Sequence, residues 1–418
     1  MNLYFRNQFY KWLDKNMENT INYNDLKTPS YILDENKLMK NFFDLKSSFE
    51  NAWKNNFIIG YSFKTNSLPY VLTWMRSHGA YAEVVSEAEY KLALKTGFSS
   101  DKIILNGPVK GDNAILEVLE AGGIVNLDSF SEIEFLKQNK PKNGKTWKVG
   151  LRINFDLEKE CPNETIMGLL PGRFGFNVEN GSFEKAVNEL KSIDYIKIIG
   201  LHGHHSTKTK SLKIFKSICK KLGEFSSLLP ENCEYVDVGG CIFGDKPGAP
   251  TFDEYAKVIS DNLSSFEKFN NASLIVEPGA SLIASPFSYL CSVVDVKKVF
   301  DTSIATTNGS LIHIDPQMHG ISFVKNVIAN NNSDEKLESQ ILAGFTCIEK
   351  DRLGEIKNSN ALKQGDMILF ENTGAYSMAL SPLFIQYFPA VYVLHDNSFS
   401  KVRENWTVDE YIAKNRGL

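Results

Sequence analysis

Lys64 stands where a short apolar run, Phe57-Ile58-Ile59, gives way to Tyr61-Ser62-Phe63-Lys64-Thr65-Asn66. A lysine at the end of a buried strand is costly to keep charged. Burial makes its amine less basic and more nucleophilic, the condition of a Schiff-base lysine. The same stretch also reads as an ordinary surface lysine. Further on, Val236-Asp237-Val238-Gly239-Gly240 is a strand entering a glycine turn, whose bare amides can cradle a phosphate or simply reverse the chain. In Leu274-Ile275-Val276-Glu277-Pro278-Gly279 a carboxylate follows three apolar residues and is fixed by Pro-Gly. A surface glutamate in a turn has the same signature. Leu201-His202-Gly203-His204-His205-Ser206 holds three of the seven histidines. Ring stacking, metal binding and satisfied strand-end imidazoles all remain open there. No Cys or acidic pair nearby has a recognisable ligand spacing, so no metal site is expected.

Elements must bring these residues together. Strand-like runs at Phe57–Phe63, Ala80–Val85, Lys102–Leu105, Gly123–Leu127, Lys148–Ile153, Ile196–His202, Tyr235–Val238 and Leu274–Val276 alternate with amphipathic helical patterns such as Glu87–Lys95 and Asn113–Ala121. That alternation predicts a (β/α)8 TIM-type barrel over 35–284, with a doubly wound open sheet as the alternative. In a barrel the strand exits collect the active site. Here the exits carry Lys64, Glu83, Asn106, Asp128, Arg152, His204, Gly239-Gly240 and Glu277. After about Ser285 strand-like runs dominate: Tyr289–Val299, Leu311–Ile314, Gln340–Leu342, Met367–Phe370 and Ala390–Leu394. They predict a second, mostly β domain (a β-barrel or sandwich) over 285–418. The strand at 28–34 is expected to join it. Residues 1–27, with an aromatic start interrupted by charge, read as a helical extension.

The 418 residues suffice for a large core and a second domain, and a formal net charge of −4 argues against a nucleic-acid partner. Six cysteines (Cys161, Cys219, Cys233, Cys241, Cys291, Cys347) form no Cys-x-x-Cys pair, which favours free thiols in a reducing, cytoplasmic compartment. The N-terminus lacks a secretory pattern, and no run is long enough to cross a membrane.

Taken together, Thr28-Pro29 with Tyr31, Phe63-Lys64-Thr65-Asn66, Gly200-Leu201-His202-Gly203-His204, Asp237-Val238-Gly239-Gly240 and Glu277-Pro278-Gly279 resemble the fold-type III pyridoxal-phosphate decarboxylases, the ornithine and diaminopimelate decarboxylase family. Gly344-Phe345-Thr346-Cys347-Ile348-Glu349-Lys350-Asp351 and Gly374-Ala375-Tyr376 resemble that family's cysteine loop and Gly-Ala-Tyr motif. The similarity runs from about Thr28 to Leu394 in one order. The resemblance implies a barrel plus a β domain, pyridoxal 5'-phosphate as cofactor, and a homodimer with shared active sites. It implies that Lys64 forms the Schiff base, His204 stacks on the ring, and Glu277 pairs with the ring nitrogen. Gly239, Gly240, Gly279 and Tyr376 would hold the phosphate. Glu83, where the family has Asp, would line the site with Glu89 and Arg152. Cys347, from the partner subunit, would protonate the product. Asp315, Glu349 and Asp351 fall on the substrate side. Glu277 favours decarboxylation over racemisation, because a carboxylate keeps the ring nitrogen protonated.

The chain departs from the family in three places. Ala280 replaces an arginine that reaches the phosphate, and Cys241 replaces the third glycine of the turn. Arg173, in Gly172-Arg173-Phe174-Gly175-Phe176, is close to a family motif without a clear place on the phosphate. Third, Ile348 replaces the acid that meets a distal amine, and the arginine pattern for a second carboxylate is absent after Asp315. With an enlarged loop at Glu158–Pro171, the expected substrate is a modified or larger α-amino acid. In these departures the chain resembles the decarboxylase domains of microcin C maturation, which act on an aminocarboxypropyl group attached to a nucleotide phosphate. A siderophore-pathway or diaminopimelate-type decarboxylase, a racemase or epimerase, and a non-catalytic binding homologue are the alternatives.

Overall fold

The computed structural model describes residues 21–328 and 333–415. Of the helical extension expected over 1–27, residues 1–20 lie outside them, and 21–27 form a turn rather than a helix. Two units are distinct: Asn41–Leu282, and the residues up to Lys40 together with those from Ile283 onward.

In the first unit eight parallel strands close into a barrel: β2 (Phe57–Ser62), β3 (Tyr81–Val84), β4 (Ile103–Leu105), β5 (Ile124–Leu127), β6 (Trp147–Asn154), β8 (Ile196–His202), β9 (Tyr235–Asp237) and β10 (Ser273–Val276). β10 pairs back onto β2, and β5 pairs with β6. A two-residue strand, β7 (Phe176–Asn177), adds to the far end of β6. The expected strands match within one or two residues, and the expected helix at Glu87–Lys95 has those bounds. Helix starts are encoded locally. Ser86 Oγ accepts from the Glu89 amide, Ser211 Oγ from Ile214, and Thr251 with Glu254 forms a reciprocal capping box.

The barrel interior holds Ile58, Ile104, Ile199, Tyr235 and Ile275 in one cluster. Tyr235 fits only because two neighbours lack side chains. A Cβ on Gly150 would lie 1.8 Å from its hydroxyl, and one on Gly200 2.3 Å from its ring.

In the second unit β1 (Ser30–Asp34) lies antiparallel to β11 (Phe287–Val299) and parallel to β17 (Ala390–His395), so the N-terminal strand joins the β domain. The sheet runs β15 (Arg352–Asn360), β14 (Lys336–Ala343), β12 (Thr302–Thr307), β11, β1, β17, β18 (Ser398–Arg403). β16 (Met367–Glu371) pairs with β11 and β13 (Lys325–Ile328). Leu26, Ile32, Leu290, Met367, Leu369, Ala390, Tyr392 and Leu394 form its core.

One expected strand is overturned: Leu311–Ile314 is a single helical turn. Four consecutive buried apolar residues carry no period that separates strand from helix. The deciding groups are polar and lie outside the run. Ser310 Oγ accepts from the Ile312 amide, and the Asp351 carboxylate accepts from the Leu311 amide at 2.7 Å. Among the described residues no helix is long and apolar enough to cross a membrane.

Candidate functional site

β2 ends at Ser62, and a 3-10 turn, Phe63–Thr65, buries Phe63 and Thr65 while turning Lys64 outward. Lys64 is therefore not the desolvated lysine that the apolar run suggests. Its side chain is 40% exposed, lines a cavity, and places Nζ 2.6 Å from Glu83 Oε2. The strand is apolar, but its end opens into a hollow, so a charged partner rather than burial is what the amine meets. Ser62 Oγ donates to the same Glu83 oxygen at 2.7 Å. The other Glu83 oxygen accepts from Asn106 Nδ2 at 3.1 Å, and that nitrogen also donates to Glu277 Oε1 at 2.5 Å. Behind it Asn126 Nδ2 donates to Asn106 Oδ1 at 2.9 Å, and Tyr235 hydroxyl to Asn126 Oδ1 at 2.6 Å. This buried polar ladder fixes both carboxylates. Sequence reasoning placed Asn106 at a strand exit without a role and missed Asn126 and Tyr235. The available clue was an asparagine inside the apolar run Ile124–Leu127.

Glu277 follows β10 and is 6% exposed. Burial works to raise its carboxyl, but the adjacent His202 ring and the Lys64 ammonium outweigh that and hold it below the usual carboxylate range. His204 Nδ1 accepts from the Gly240 amide at 3.2 Å, which fixes the ring. Burial, then Arg152, keeps that imidazole well below its ordinary value, hence neutral at pH 7. Its ring is within 16° of parallel to His202. Gly239 has φ +68°, and a Cβ there would lie 2.4 Å from His204 Nδ1; a Cβ on Gly240 would lie 2.2 Å from the Glu277 carbonyl. Both glycines are thus required for turn and histidine to approach. Gly279 likewise abuts Thr65 Oγ1, a buried hydroxyl with no partner among the described residues. Cys241 follows at φ +67°, a left-handed conformation with a side chain, its Sγ 3.4 Å from Thr207 Oγ1. Ala280 starts the helix Ala280–Ile283.

Arg152, at the end of β6, is 8% exposed, 3.5 Å from Asp128, and 4.5 Å over the Phe174 ring, which also carries Arg173 at 4.0 Å. Asp128 is held by its own amide, which donates to Glu132 Oε2 at 2.6 Å. Glu132 pairs in turn with the fully buried Lys110 at 2.6 Å. Glu89 accepts from the Val85 amide at 2.8 Å and so caps its helix beside the site. Lys64, Glu83, Arg152, His204 and Glu277 all line one cavity of about 820 Å³, walled on one side by residues 153–157 and 165–174. That wall is built, not loose. Glu158 accepts from Thr165 Oγ1 at 3.0 Å, Glu164 from Thr209 Oγ1 at 2.7 Å, and Ile166 amide donates to Ser206 at 3.0 Å. Ile166, Met167, Leu169 and Leu170 sit exposed on it.

The remaining sequence-selected residues belong to the β unit. Cys347 and Glu349 are exposed. Tyr376 is 44% exposed at φ +56°. Asp351 is 3% exposed, and its oxygens accept from Ser310, Leu311 and both the amide and hydroxyl of Thr346. Asp315 is 2% exposed and accepts from the Gly320 and Ile321 amides. Both acids are engaged in shaping the loops of their own unit.

The barrel mouth suits a flat, anionic aldehyde cofactor with a basic ring nitrogen. It offers an amine, an ionised buried carboxylate, a neutral imidazole face and a glycine turn. Buried polar atoms of Thr65, His202 and Asp237 still lack partners there. Among the described residues, His202, Asp237 and Glu277 are also close enough to hold a cation.

Residues 39–284 match the family model for pyridoxal-dependent decarboxylase, pyridoxal binding domain. The chain is 26% identical over 401 residues to a diaminopimelate decarboxylase of Methanocaldococcus jannaschii, covering 93% of this chain and 91% of that one. It is 26% identical over 416 residues to the L-glutamyl-(BtrI acyl-carrier protein) decarboxylase of Niallia circulans, covering 93% of each. Among solved structures, the M. jannaschii diaminopimelate decarboxylase with L-lysine superposes with a TM-score of 0.83 at 25% identity, over 94% of this chain and 92% of that one. The Paramecium bursaria Chlorella virus arginine decarboxylase bound to agmatine gives 0.71 at 19% identity, over 90% and 97%.

Proposed function

Because the chain belongs to the pyridoxal-dependent decarboxylases, we propose that it removes the α-carboxylate from an amino acid larger than ornithine or diaminopimelate. It is a pyridoxal-phosphate enzyme that decarboxylates an amino acid; the size of the substrate is the reading advanced here. Pyridoxal phosphate, when bound, supplies the electron sink for the pair left behind by the departing carboxylate. The chain's own residues do the rest. Lys64 offers the amine that tethers the cofactor, and Glu83, 2.6 Å away, holds that amine in place. Glu277, kept ionised, holds the proton on the ring nitrogen. His204 gives the ring a flat, uncharged face. Gly239, Gly240 and Gly279 shape the turn at which the phosphate would sit, with Tyr376. Arg152 is anchored to Asp128 beside them. We assign Cys347 of a second copy as the donor of a proton to Cα, with Glu349 on the substrate side, in a homodimer; Asp315 and Asp351, buried and bonded within their own loops, hold those loops in shape. Free thiols at all six cysteines suit a reducing, cytoplasmic compartment.

The observation that carries the substrate reading is the cavity of about 820 Å³ over Lys64, whose pinned wall exposes Ile166, Met167, Leu169 and Leu170. That volume has to hold the cofactor as well as the substrate, so the apolar wall rather than the size alone supports an extended substrate. An aminocarboxypropyl group on a nucleotide phosphate is one such substrate. The named activity of the Niallia relative, on a glutamyl group attached to a carrier protein, is a precedent for a large one. Diaminopimelate itself is the second reading, favoured by the diaminopimelate decarboxylases among the relatives. Carbon dioxide release from purified holoenzyme decides between them. The panel is diaminopimelate, ornithine, lysine, and 2-aminobutanoates carrying bulky amide, thioester or nucleotide-phosphate groups at C4. Turnover confined to the substituted compounds is expected. Diaminopimelate as the best substrate overturns the extended-substrate reading.

A further inference from the structure

His202 ends β8, Asp237 ends β9 and Glu277 follows β10, so three neighbouring strands deliver one histidine and two carboxylates to one point. All three are buried, at 1%, 0% and 6% exposure. One oxygen or nitrogen from each lies within 4.8 Å of the others, and His202 Nε2 is 3.5 Å from Glu277 Oε2. Glu277 Oε1 is taken by Asn106, and Asp237 Oδ1 by the Gly239 amide at 2.8 Å. Asp237 Oδ2 and both His202 ring nitrogens have no hydrogen-bond partner among the described residues. The roles proposed above use Glu277 but neither Asp237 nor His202.

We propose that Asp237 is a neutral carboxylic acid in the working enzyme, its Oδ2 proton shared with Glu277, and that Asp237 and His202 are positioning residues that keep Glu277 ionised. Two adjacent buried carboxylates without a donor or cation between them do not both stay charged, and a buried oxygen without a partner is itself costly. One proton on Asp237 Oδ2 removes both problems at once. The cations nearby have partners of their own, Lys64 in Glu83 and Arg152 in Asp128, and Lys64 acts on Glu277 rather than on Asp237. The groups that face Asp237 are Glu277 from β10, His202 from β8, Tyr235 on its own strand, Glu83 from β3 and Arg152 from β6. Burial first, and then Glu277, drive the Asp237 carboxyl well above its ordinary range, whereas Glu277 itself is held low by His202. The proton inventory of this triad stands on packing and is independent of which amino acid the enzyme takes.

The test is a charge count on the native holoenzyme near pH 7, by electrophoretic mobility or native isoelectric focusing. Asp237→Asn is compared with Asp261→Asn, a control at an exposed helix position paired with Lys257. Asparagine at 237 can still accept from Gly239 and donate toward Glu277. The control should shift by one unit of charge and Asp237→Asn by none; an equal shift in both overturns the proposal. If Asp237→Asn gives no folded holoenzyme, Asp237→Ser, which also accepts and donates, is read the same way against the same control. Asp237→Asn should also leave the pH dependence of cofactor absorption in place. His202→Leu should move it and weaken cofactor binding about tenfold, the equivalent of one pKa unit. His202→Leu with wild-type titration overturns the positioning role. Stoichiometric cobalt(II) added to the holoenzyme should give no ligand-field band; a band lost in Asp237→Asn would mean that the triad holds a metal instead of a proton.

Discussion

Lys110→Met should cost this barrel far more than a lost surface charge. Lys110 has no exposed side-chain surface and Glu132 only 10%, with 2.6 Å between them. The ammonium also donates to the Gly107 carbonyl at 2.7 Å, and the second Glu132 oxygen accepts from the Asp128 amide at 2.6 Å. Removing one partner of such a pair leaves a buried charge uncompensated, at about 3–5 kcal/mol. Burial already pushes Lys110 down and Glu132 up, each opposed by its partner. Without Lys110, Glu132 binds a proton more readily folded than unfolded, so the variant should lose stability as pH rises from about 4 to 7. Urea unfolding followed by far-UV circular dichroism reads the loss. Lys110→Met with Glu132→Gln restores a neutral pair that still accepts from Asp128, and should recover about 2 kcal/mol of it. A single variant within about 1 kcal/mol of wild type, or a double variant no better than the single, refutes the reasoning.

Buried His313 is held at about 4 by desolvation and hydrogen-bonds Tyr289 at 2.6 Å. Its folded value lies below the unfolded one, so its share of stability is present above about pH 6.5 and is lost as pH falls toward 4, by up to about 3 kcal/mol. Unfolding of His313→Gln and wild type across that range should show this slope in the difference, and a flat difference refutes it. Gly150→Ala would set a Cβ 1.8 Å from the Tyr235 hydroxyl and 2.2 Å from Asn126 Oδ1. It should lose about 3 kcal/mol in the same assay. Gly172→Ala, with nothing nearer than 3.5 Å, should lose none, and equal effects refute the packing account. Asn106→Leu leaves one oxygen each of Glu83 and Glu277 without its donor. Cofactor affinity, read by absorption titration, should fall about tenfold, and unchanged affinity would make the bridge decorative.

The barrel was legible because each exit follows a buried apolar run, and a run of that kind followed by a helix pattern fixes both the strand and its end. Lys64, Glu83, Arg152, His204 and Glu277 could therefore be named from position along the chain, and they share one cavity. What the chain order could not show is which exits face one another. Asn106 and Glu277 are 171 residues apart, and Tyr235 and Asn126 are 109 apart. Gly150 and Gly200 read as plain strand glycines until the register sets Tyr235 beside them. The partial exposure of Lys64 has the same origin. Apolar neighbours in sequence implied burial, but the residues that surround an exit come from other strands, and those of Lys64 include Glu83. Leu311–Ile314 failed for a related reason, since its conformation is fixed by Asp351, 40 residues away.

That division has a consequence for the chemistry. The residues that meet cofactor or substrate can be listed from strand ends, but their charge states depend on contacts across the barrel. Glu83 and Glu277 converge on a single Asn106 nitrogen. An amide donor lies between them, whereas Asp237, which has Glu277 beside it, has no such donor on Oδ2. The site thus separates three buried carboxylates by what lies between them, an amide in one case and a proton in the other. Substituting Asn106 should therefore perturb Glu277 through lost hydrogen bonds, whereas Asp237→Asn, with the same charge as the protonated acid, should leave Glu277 as it is.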